Sequence, residues 1–370
     1  MSANRVTVIQ PALPKYRYGI FDRLSKRLGP RFSVFSSGSD LDVLSVGMAG
    51  REWQRPLGIY RHLLAGLYWQ TDALSVPMGR GDIVVVSGAP RCLSNLALLL
   101  KAKMLGARTI WWGHYWSSTS RGWRAVLRLA IMQLADAVLF YTDQEIAEYN
   151  NSARGRLSNK LISALNNGID TDEVVKVREK YEPSSRYRDL LFIGRVEEKA
   201  HLEFLLLALS KSICSEVTLD VIGDGSKQSE MLKLAEELGI GRRVAWYGAV
   251  TDEPRIGHIA NQCKAFVYPG SVGLSLIHGL SYGLPAILPD NRWAHMPEIA
   301  AFRPDINGME FRRGDVDDLA RVVATVLGDP ARLTDMSIAA VDTISASFNA
   351  EDMASRFVEL VRQVENQVTQ

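Results

Sequence analysis

The sequence predicts two doubly wound α/β domains in tandem. Three observations carry this. Short apolar runs rich in Val, Ile and aromatic residues alternate with longer helix-like segments; that pattern stops at a polar break and starts again; and 370 residues are enough for two cores. Continuous apolar strands separated by helices belong to a parallel sheet covered on both faces, because such strands have no solvent face to populate with polar residues.

In the front half the strand-like runs are Val6–Gln10, Phe32–Ser36, Ile83–Ser87, Thr109–Gly113 and Ala137–Tyr141. Asn166-Asn167-Gly168 is a turn signal, and Tyr181–Asp189 is polar, with Pro183 and two serines. Leu190–Gly194, Thr218–Ile222, Val244–Tyr247, Ala265–Pro269 and Ala286–Leu288 then repeat the strand pattern. The tail from Ala350 to Gln363 has Met353, Phe357, Leu360 and Val361 at helical spacing. The expected division is therefore a first domain over 1–168, a linker over 169–189, a second domain over 190–345, and a C-terminal helix over 346–370 packing back on the first domain.

Composition bounds the function. The chain is 47% hydrophobic and 23% charged, which excludes a disordered or fibrous protein. Lys plus Arg is 43 and Asp plus Glu is 41, so the net charge of +2 argues against a nucleic-acid binder. Up to Lys180 there are 24 basic and 14 acidic residues, and beyond it 19 and 27. A front half so biased is expected to face something anionic, a phospholipid surface or a phosphate-bearing substrate. Cys92, Cys214 and Cys263 have neither disulfide-framework nor zinc spacing. With no signal-peptide pattern and no uninterrupted spanning stretch, the expected location is the cytoplasm, at most resting on the inner face of the membrane.

Two front segments favour such a surface. Arg51–Gln70 interleaves Arg51, Arg55, Arg61 and His62 with Trp53, Tyr60, Tyr68 and Trp69, and Arg121–Met132 carries Arg121, Arg124 and Arg128 beside Trp123. Basic amphipathic segments with aromatic residues lie on anionic lipid, each basic side chain contributing ~1 kcal/mol. The competing reading is helices packed on the sheet with a solvated basic face.

Ligands of open α/β sheets bind beyond the carboxyl ends of the strands, so the motifs at those ends carry the chemistry. Leu190–Gly194 delivers Arg195 at its end, with Lys199 four residues on, two cations suited to a diphosphate. Gly223-Asp224-Gly225 follows the next strand; with Gln228 where a third glycine would stand, it is not a dinucleotide fingerprint. Tyr268-Pro269-Gly270-Ser271-Val272-Gly273 is a small-residue loop leading to a helix near Gly273, whose free amides and positive dipole end suit an anion. His278 lies one turn into that helix. Gly279-Leu280-Ser281-Tyr282-Gly283 matches the serine-hydrolase G-x-S-x-G, but a helix rather than a strand leads into Ser281, so Ser281 is structural.

These pieces, with Gly248, Tyr282-Gly283-Leu284-Pro285, Pro297-Glu298 and Asn307-Gly308 in order and spacing, resemble glycosyltransferase family 4 over Leu190–Phe311. Trp111-Trp112-Gly113-His114 resembles that family's strand-end histidine, and Asn166-Asn167-Gly168-Ile169-Asp170 its segment before the linker. The resemblance implies a GT-B fold, two Rossmann-like domains facing across a cleft. It implies a retaining, metal-independent glycosyltransferase that uses a nucleotide-sugar donor and no cofactor, with a saccharide or lipid-linked acceptor in bacterial surface polysaccharide synthesis. The catalytic residues would be His114, on the transferred sugar, with Arg195 and Lys199 on the diphosphate. Gly223, Gly225, Gly270, Gly273, Leu274, Ser275, His278 and Glu298 would bind the donor. Two departures stand out. Gly270 and His278 occupy the places of two family glutamates, one on the sugar and one on the ribose. Residues 11–19 replace a Gly-Gly turn, leaving the acceptor side to Tyr16, Arg17 and Gly19. A sugar-nucleotide epimerase of the same shape and a non-catalytic nucleotide-sugar-binding protein are the alternatives.

Overall fold

The computed structural model describes residues 4–37, 50–115, 123–152 and 160–367. The chain divides into two compact units, one of Met1–Asp170 with Ala350–Gln370, the other of Thr171–Asn349.

The first unit is built on β1 (Val6–Gln10), β2 (Phe32–Ser36), β3 (Gln54–Pro56), β6 (Ile83–Ser87), β7 (Arg108–Trp112), β8 (Ala137–Phe140) and β9 (Leu161–Ala164), with a small antiparallel pair, β4 (Tyr60–His62) and β5 (Tyr68–Gln70), beside them. The large sheet runs β3-β2-β1-β6-β7-β8-β9, every neighbouring pair parallel. Successive side chains of a strand point to opposite faces, so each strand feeds two cores. Val6, Val8, Ile83, Val85, Ile110 and Trp112 go to one face, where α1 (Tyr18–Leu28) packs. Ile9, Val84, Val86, Trp111 and Val138 go to the other, under α2 (Leu93–Met104) and α3 (Trp123–Met132). Helix α4 (Asp143–Asn150) starts at Thr142, whose hydroxyl accepts from the Glu145 N–H while the Glu145 carboxylate reaches back to the Thr142 N–H, a capping box.

The second unit opens with α5 (Asp172–Val177). Its sheet runs β12-β11-β10-β13-β14-β15, all parallel, from β10 (Arg188–Ile193), β11 (Leu219–Ile222), β12 (Val244–Gly248), β13 (Cys263–Val267), β14 (Ala286–Pro289) and β15 (Gly308–Phe311). Helices α6 (Leu202–Leu209), α7 (Gln228–Glu237), α8 (Glu253–Ala260), α9 (Leu274–Ser281), α10 (Val316–Leu327) and α11 (Pro330–Ala346) alternate with or follow these strands. The last helix, α12 (Ala350–Asn366), belongs to the first unit. Its Met353, Phe357, Leu360, Val361 and Val364 form one buried stripe in the core beneath α1. Each such side chain contributes about 1.5–3 kcal/mol by leaving water.

Strand order reverses between β1 and β6 in the first sheet and between β10 and β13 in the second. These switch points leave crevices at the strand carboxyl ends, where open α/β sheets bind ligands.

Three expectations change. The stretch expected as a linker, 169–189, contains α5, which packs on α8, and Arg186, buried with its guanidinium donating to the Ala260 and Cys263 carbonyls. Strands β3, β9 and β15 escaped the sequence reading because they are short and only partly buried, so they lack a continuous apolar run. Arg51–Gln70 is not helical: it supplies β3, β4 and β5. Its Trp53 and Tyr60 turn inward and Tyr68 and Trp69 are half-buried, while Arg51, Arg55, Arg61 and His62 stay exposed, the His62 ring 4.9 Å from that of Tyr68. In the second basic segment Arg128 is half-buried, its guanidinium donating to the His114 carbonyl at 3.0 Å; Arg121 and the side chains of Trp123 and Arg124 lie outside the described residues. Among the described residues no helix is long and apolar enough to cross a membrane.

Candidate active site

The second unit gathers its candidate residues at the β10/β13 switch point. Gly194 ends β10 against the Tyr268 ring and, 3.4 Å from where its Cβ would stand, the Ser275 hydroxyl. Tyr268 stacks on Phe192 at 4.9 Å, and burial pushes its phenol up to about 12 against the opposing charge of Arg195. The loops after β10 and β11 touch backbone to backbone. Gly223, at φ +155°, lies where a Cβ would collide with the Gly194 carbonyl, and Gly225 lies likewise against Val196. Val196 N–H donates to the Asp224 carbonyl at 3.0 Å.

Arg195 and Lys199 are both exposed, and neither enters an ion pair among the described residues. Glu197 lies between them in sequence; the Ser226 hydroxyl and N–H, assisted by the charges of Arg195 and Lys199, hold its carboxyl below the usual range. Ser271 N–H donates to the Lys199 carbonyl at 3.0 Å, which fixes the loop before α9 beside the Lys199 turn. No side chain caps α9, its first turn carries no acidic residue, and Gly273 is the N-cap, so backbone amides are the groups presented there. Two exposed cations and a helix N-terminus therefore lie at one switch point, groups of the kind that suit an anion.

That loop is braced from below by residues the sequence reading missed. Buried His295 accepts from the Val272 N–H through Nδ1 at 3.2 Å and contacts the Pro289 carbonyl through Nε2 at 2.9 Å, which assigns the ring proton to Nε2; burial pulls its pKa down and favours this neutral form. Glu298 is buried at 5% exposure, its Oε2 3.6 Å from where a Gly273 Cβ would stand. Leu274 and Ser275 are half-buried in the first turn of α9. His278 is tied down by its own neighbours: Nε2 lies 2.7 Å from Glu253 Oε1, which also accepts from the Tyr282 hydroxyl at 2.6 Å. Ser281 donates to the His278 carbonyl at 2.7 Å, a helix-end contact. A cavity of about 300 Å³ lined by Arg178, Tyr181, Tyr282, Ser337 and Ile338 lies by the C-terminal end of α9.

The first unit holds His114 just beyond β7. Its ring stacks on Tyr141 at 4.1 Å, its carbonyl accepts from Arg128, and its Nδ1 lies 3.7 Å from Oε1 of buried Glu145. Glu145 also accepts from the Tyr115 and Tyr141 N–H groups, so one carboxylate caps α4 and braces the His114 loop. Its sequence signal was Thr142-x-x-Glu145, the capping-box spacing. Arg17 is buried under Trp112, 4.4 Å from its ring centroid, and Tyr16 is exposed beside it. Gly19 packs against Asp170, which Arg23 clamps with two guanidinium nitrogens at 2.8 and 3.0 Å. Among the described residues no group of three or more His, Cys, Asp or Glu side chains is placed to hold a metal ion.

Two parallel sheets of these orders, each with its polar groups beyond the carboxyl strand ends, match solved structures along nearly the whole chain. The Anabaena HepE protein in complex with UDP superposes with a TM-score of 0.72 at 14% identity, covering 98% of this chain and all of that one. The lipopolysaccharide outer core galactosyltransferase WaaB superposes at 0.70 and 17% identity, covering 97% and 99%.

The fold is GT-B.

Within it, residues 175–342, which include Arg195, Lys199 and α9, match the family model "Glycosyl transferases group 1". Two curated proteins are similar in sequence. Lipopolysaccharide 1,6-galactosyltransferase of Salmonella typhimurium is 28% identical over 135 residues, 35% of this chain and 36% of that protein. The lipopolysaccharide core biosynthesis glycosyltransferase LpsE of Rhizobium meliloti is 23% identical over 205 residues, 54% and 57%. The chain thus spans about a third to just over half the length of these relatives.

Proposed function

We propose that the protein is a hexosyltransferase-type glycosyltransferase of the family 4 kind, moving a sugar from a nucleotide-sugar to a saccharide or lipid-linked acceptor in lipopolysaccharide or related surface-polysaccharide synthesis. The observation that carries the reading is the meeting of Arg195, Lys199 and the α9 N-terminus at the β10/β13 switch point. The relatives' names support the substrate class. UDP in the HepE complex makes UDP-sugars the first donors to try.

Breaking the sugar–phosphate bond leaves negative charge on the diphosphate. Arg195, Lys199 and the α9 amides stabilise that charge as it forms, which lowers the barrier without reorganisation of solvent. With the leaving phosphate oxygen taking the acceptor's proton, the sugar keeps its anomeric configuration and no protein nucleophile is required. His114, held by Tyr141 and Glu145, contacts the transferred sugar. Catalysis by these groups alone is metal-independent. The exposed Arg51, Arg55 and Arg61 offer the cytoplasmic membrane face a basic surface.

The test is a nucleotide-sugar panel read first by thermal shift and then by product formation with saccharide acceptors. A donor at 100 times its Kd adds about 2.7 kcal/mol to apparent stability. A panel in which no nucleotide diphosphate raises the melting temperature defeats the reading.

A further inference from the structure

Arg17 is a buried cation. It is only 5% exposed, and no carboxylate pairs with it among the described residues. Its guanidinium lies 4.4 Å from the Trp112 ring centroid, with the Tyr16 and Tyr141 rings at 5.6 and 5.9 Å. The Tyr16 and Tyr141 hydroxyls accept hydrogen bonds from the guanidinium, but its Nη1 is buried without an acceptor, and so is the neighbouring Trp112 Nε1. A buried guanidinium loses hydration, and stacking on aromatic faces replaces only part of it. Arg186 also keeps one buried nitrogen, Nη2, without a partner, but two carbonyls accept from its Nη1, and Arg188 is answered by Asp220.

Position adds the second observation. Arg17 follows β1, one side of the β1/β6 switch point, and Tyr141 is also the ring on which His114 stacks. His114 and Tyr16 are partly exposed, so the group closes around Arg17 from below and opens toward solvent through these two rings.

We propose that Arg17 is an anion-recognition residue of the first unit, and that the molecule bound there carries an acidic group, a phosphate or a carboxylate, on a sugar whose ring packs on Tyr16. The proposal rests on the acceptor-binding reading of this unit. It narrows the acceptor from any saccharide to an acidic one. A planar guanidinium takes two oxygens of either acid side by side, which an ammonium cannot do.

The experiment uses the full chain with Arg195→Ala and Lys199→Ala, which disables the other cationic site. Glucose 6-phosphate, glucuronate and glucose are titrated at constant ionic strength, with tryptophan fluorescence as the readout. At least one acid saturates at a concentration tenfold or more below that for glucose, and the two acid arms tell phosphate from carboxylate. Adding R17M removes the preference. R17M keeps the length of the side chain under Trp112, and its melting temperature shows whether it folds as its parent does. If R17M does not fold, R17K serves, and its preference falls several-fold. Equal binding of acids and glucose overturns the proposal, as does a preference that survives R17M or R17K. In the otherwise unaltered chain, R17M keeps the thermal shift with nucleotide diphosphates; loss of that shift in the unaltered chain would count against the transferase reading instead.

Discussion

Gly270 lies directly against the backbone of Lys199. A Cβ on Gly270 would collide with the Lys199 carbonyl oxygen, to which the next residue, Ser271, donates its N–H at 3.0 Å. The glycine that stands where the resembled family has a glutamate is thus a packing requirement of this loop. Gly270→Ala is expected to destabilise the chain by about 1–3 kcal/mol, the cost of overpacking. It should also weaken nucleotide diphosphate binding by moving Lys199. Gly270→Glu should do the same and restore nothing. Urea unfolding and a thermal-shift titration measure both; a Gly270→Ala chain of unchanged stability would show the contact to be loose.

Arg195 is exposed and unpaired among the described residues, so removing it leaves no buried orphan. Arg195→Ala should melt with the parent yet lower kcat with the correct donor by about 10²–10³, the scale for one lost charge-stabilising donor. Steady-state kinetics on the purified variant decide it. Undiminished turnover removes Arg195 from the diphosphate.

Phe357 of α12 is fully buried, its ring 6.5 Å from that of Trp112 in the first unit. Phe357→Ala should cost about 3–5 kcal/mol. Because Trp112 leads into Gly113 and His114, the same variant should loosen the His114 loop, read as faster proteolysis within the first unit. Equal stability of variant and parent would place α12 outside the folding core.

Asp82 gives a pH prediction. Burial opposes its charge, but the Arg5 N–H and guanidinium and the Gly79 N–H outweigh that and hold its carboxyl below the usual value. A carboxyl depressed in the folded state stabilises fully above its unfolded pKa of about 3.9 and loses that contribution as pH falls through the lower folded value. Asp82→Asn should therefore be less stable than the parent at pH 7, with the gap closing below pH 4. Urea midpoints from pH 7 to pH 3 test this; a gap independent of pH would mean the carboxylate charge is irrelevant.

How much was legible follows from where each element sits. The buried strands β1, β6, β10 and β11 are largely apolar, as parallel strands covered on both faces tend to be, and the residues at their ends could be named in advance. Edge strands β3, β9 and β15 could not, since a partly wet strand mixes polar and apolar residues. The helix start at Leu274 and the stripe of α12 came from local spacing alone. The partner of His278 did not, because Glu253 is 25 residues away and only the packing of α8 beside α9 brings it to 2.7 Å.

Alternation, turn chemistry and charge in the amino-acid order determined two parallel α/β units and the cations that end their strands. Strand order, which no local pattern encodes, decided that the Arg195 loop and the α9 start share one crevice. Side-chain burial decided that Arg17 lies under Trp112 with a donor unanswered. Both are long-range outcomes: they depend on which strands hydrogen-bond and which rings close over a charge, and those choices are made only when the whole sheet assembles.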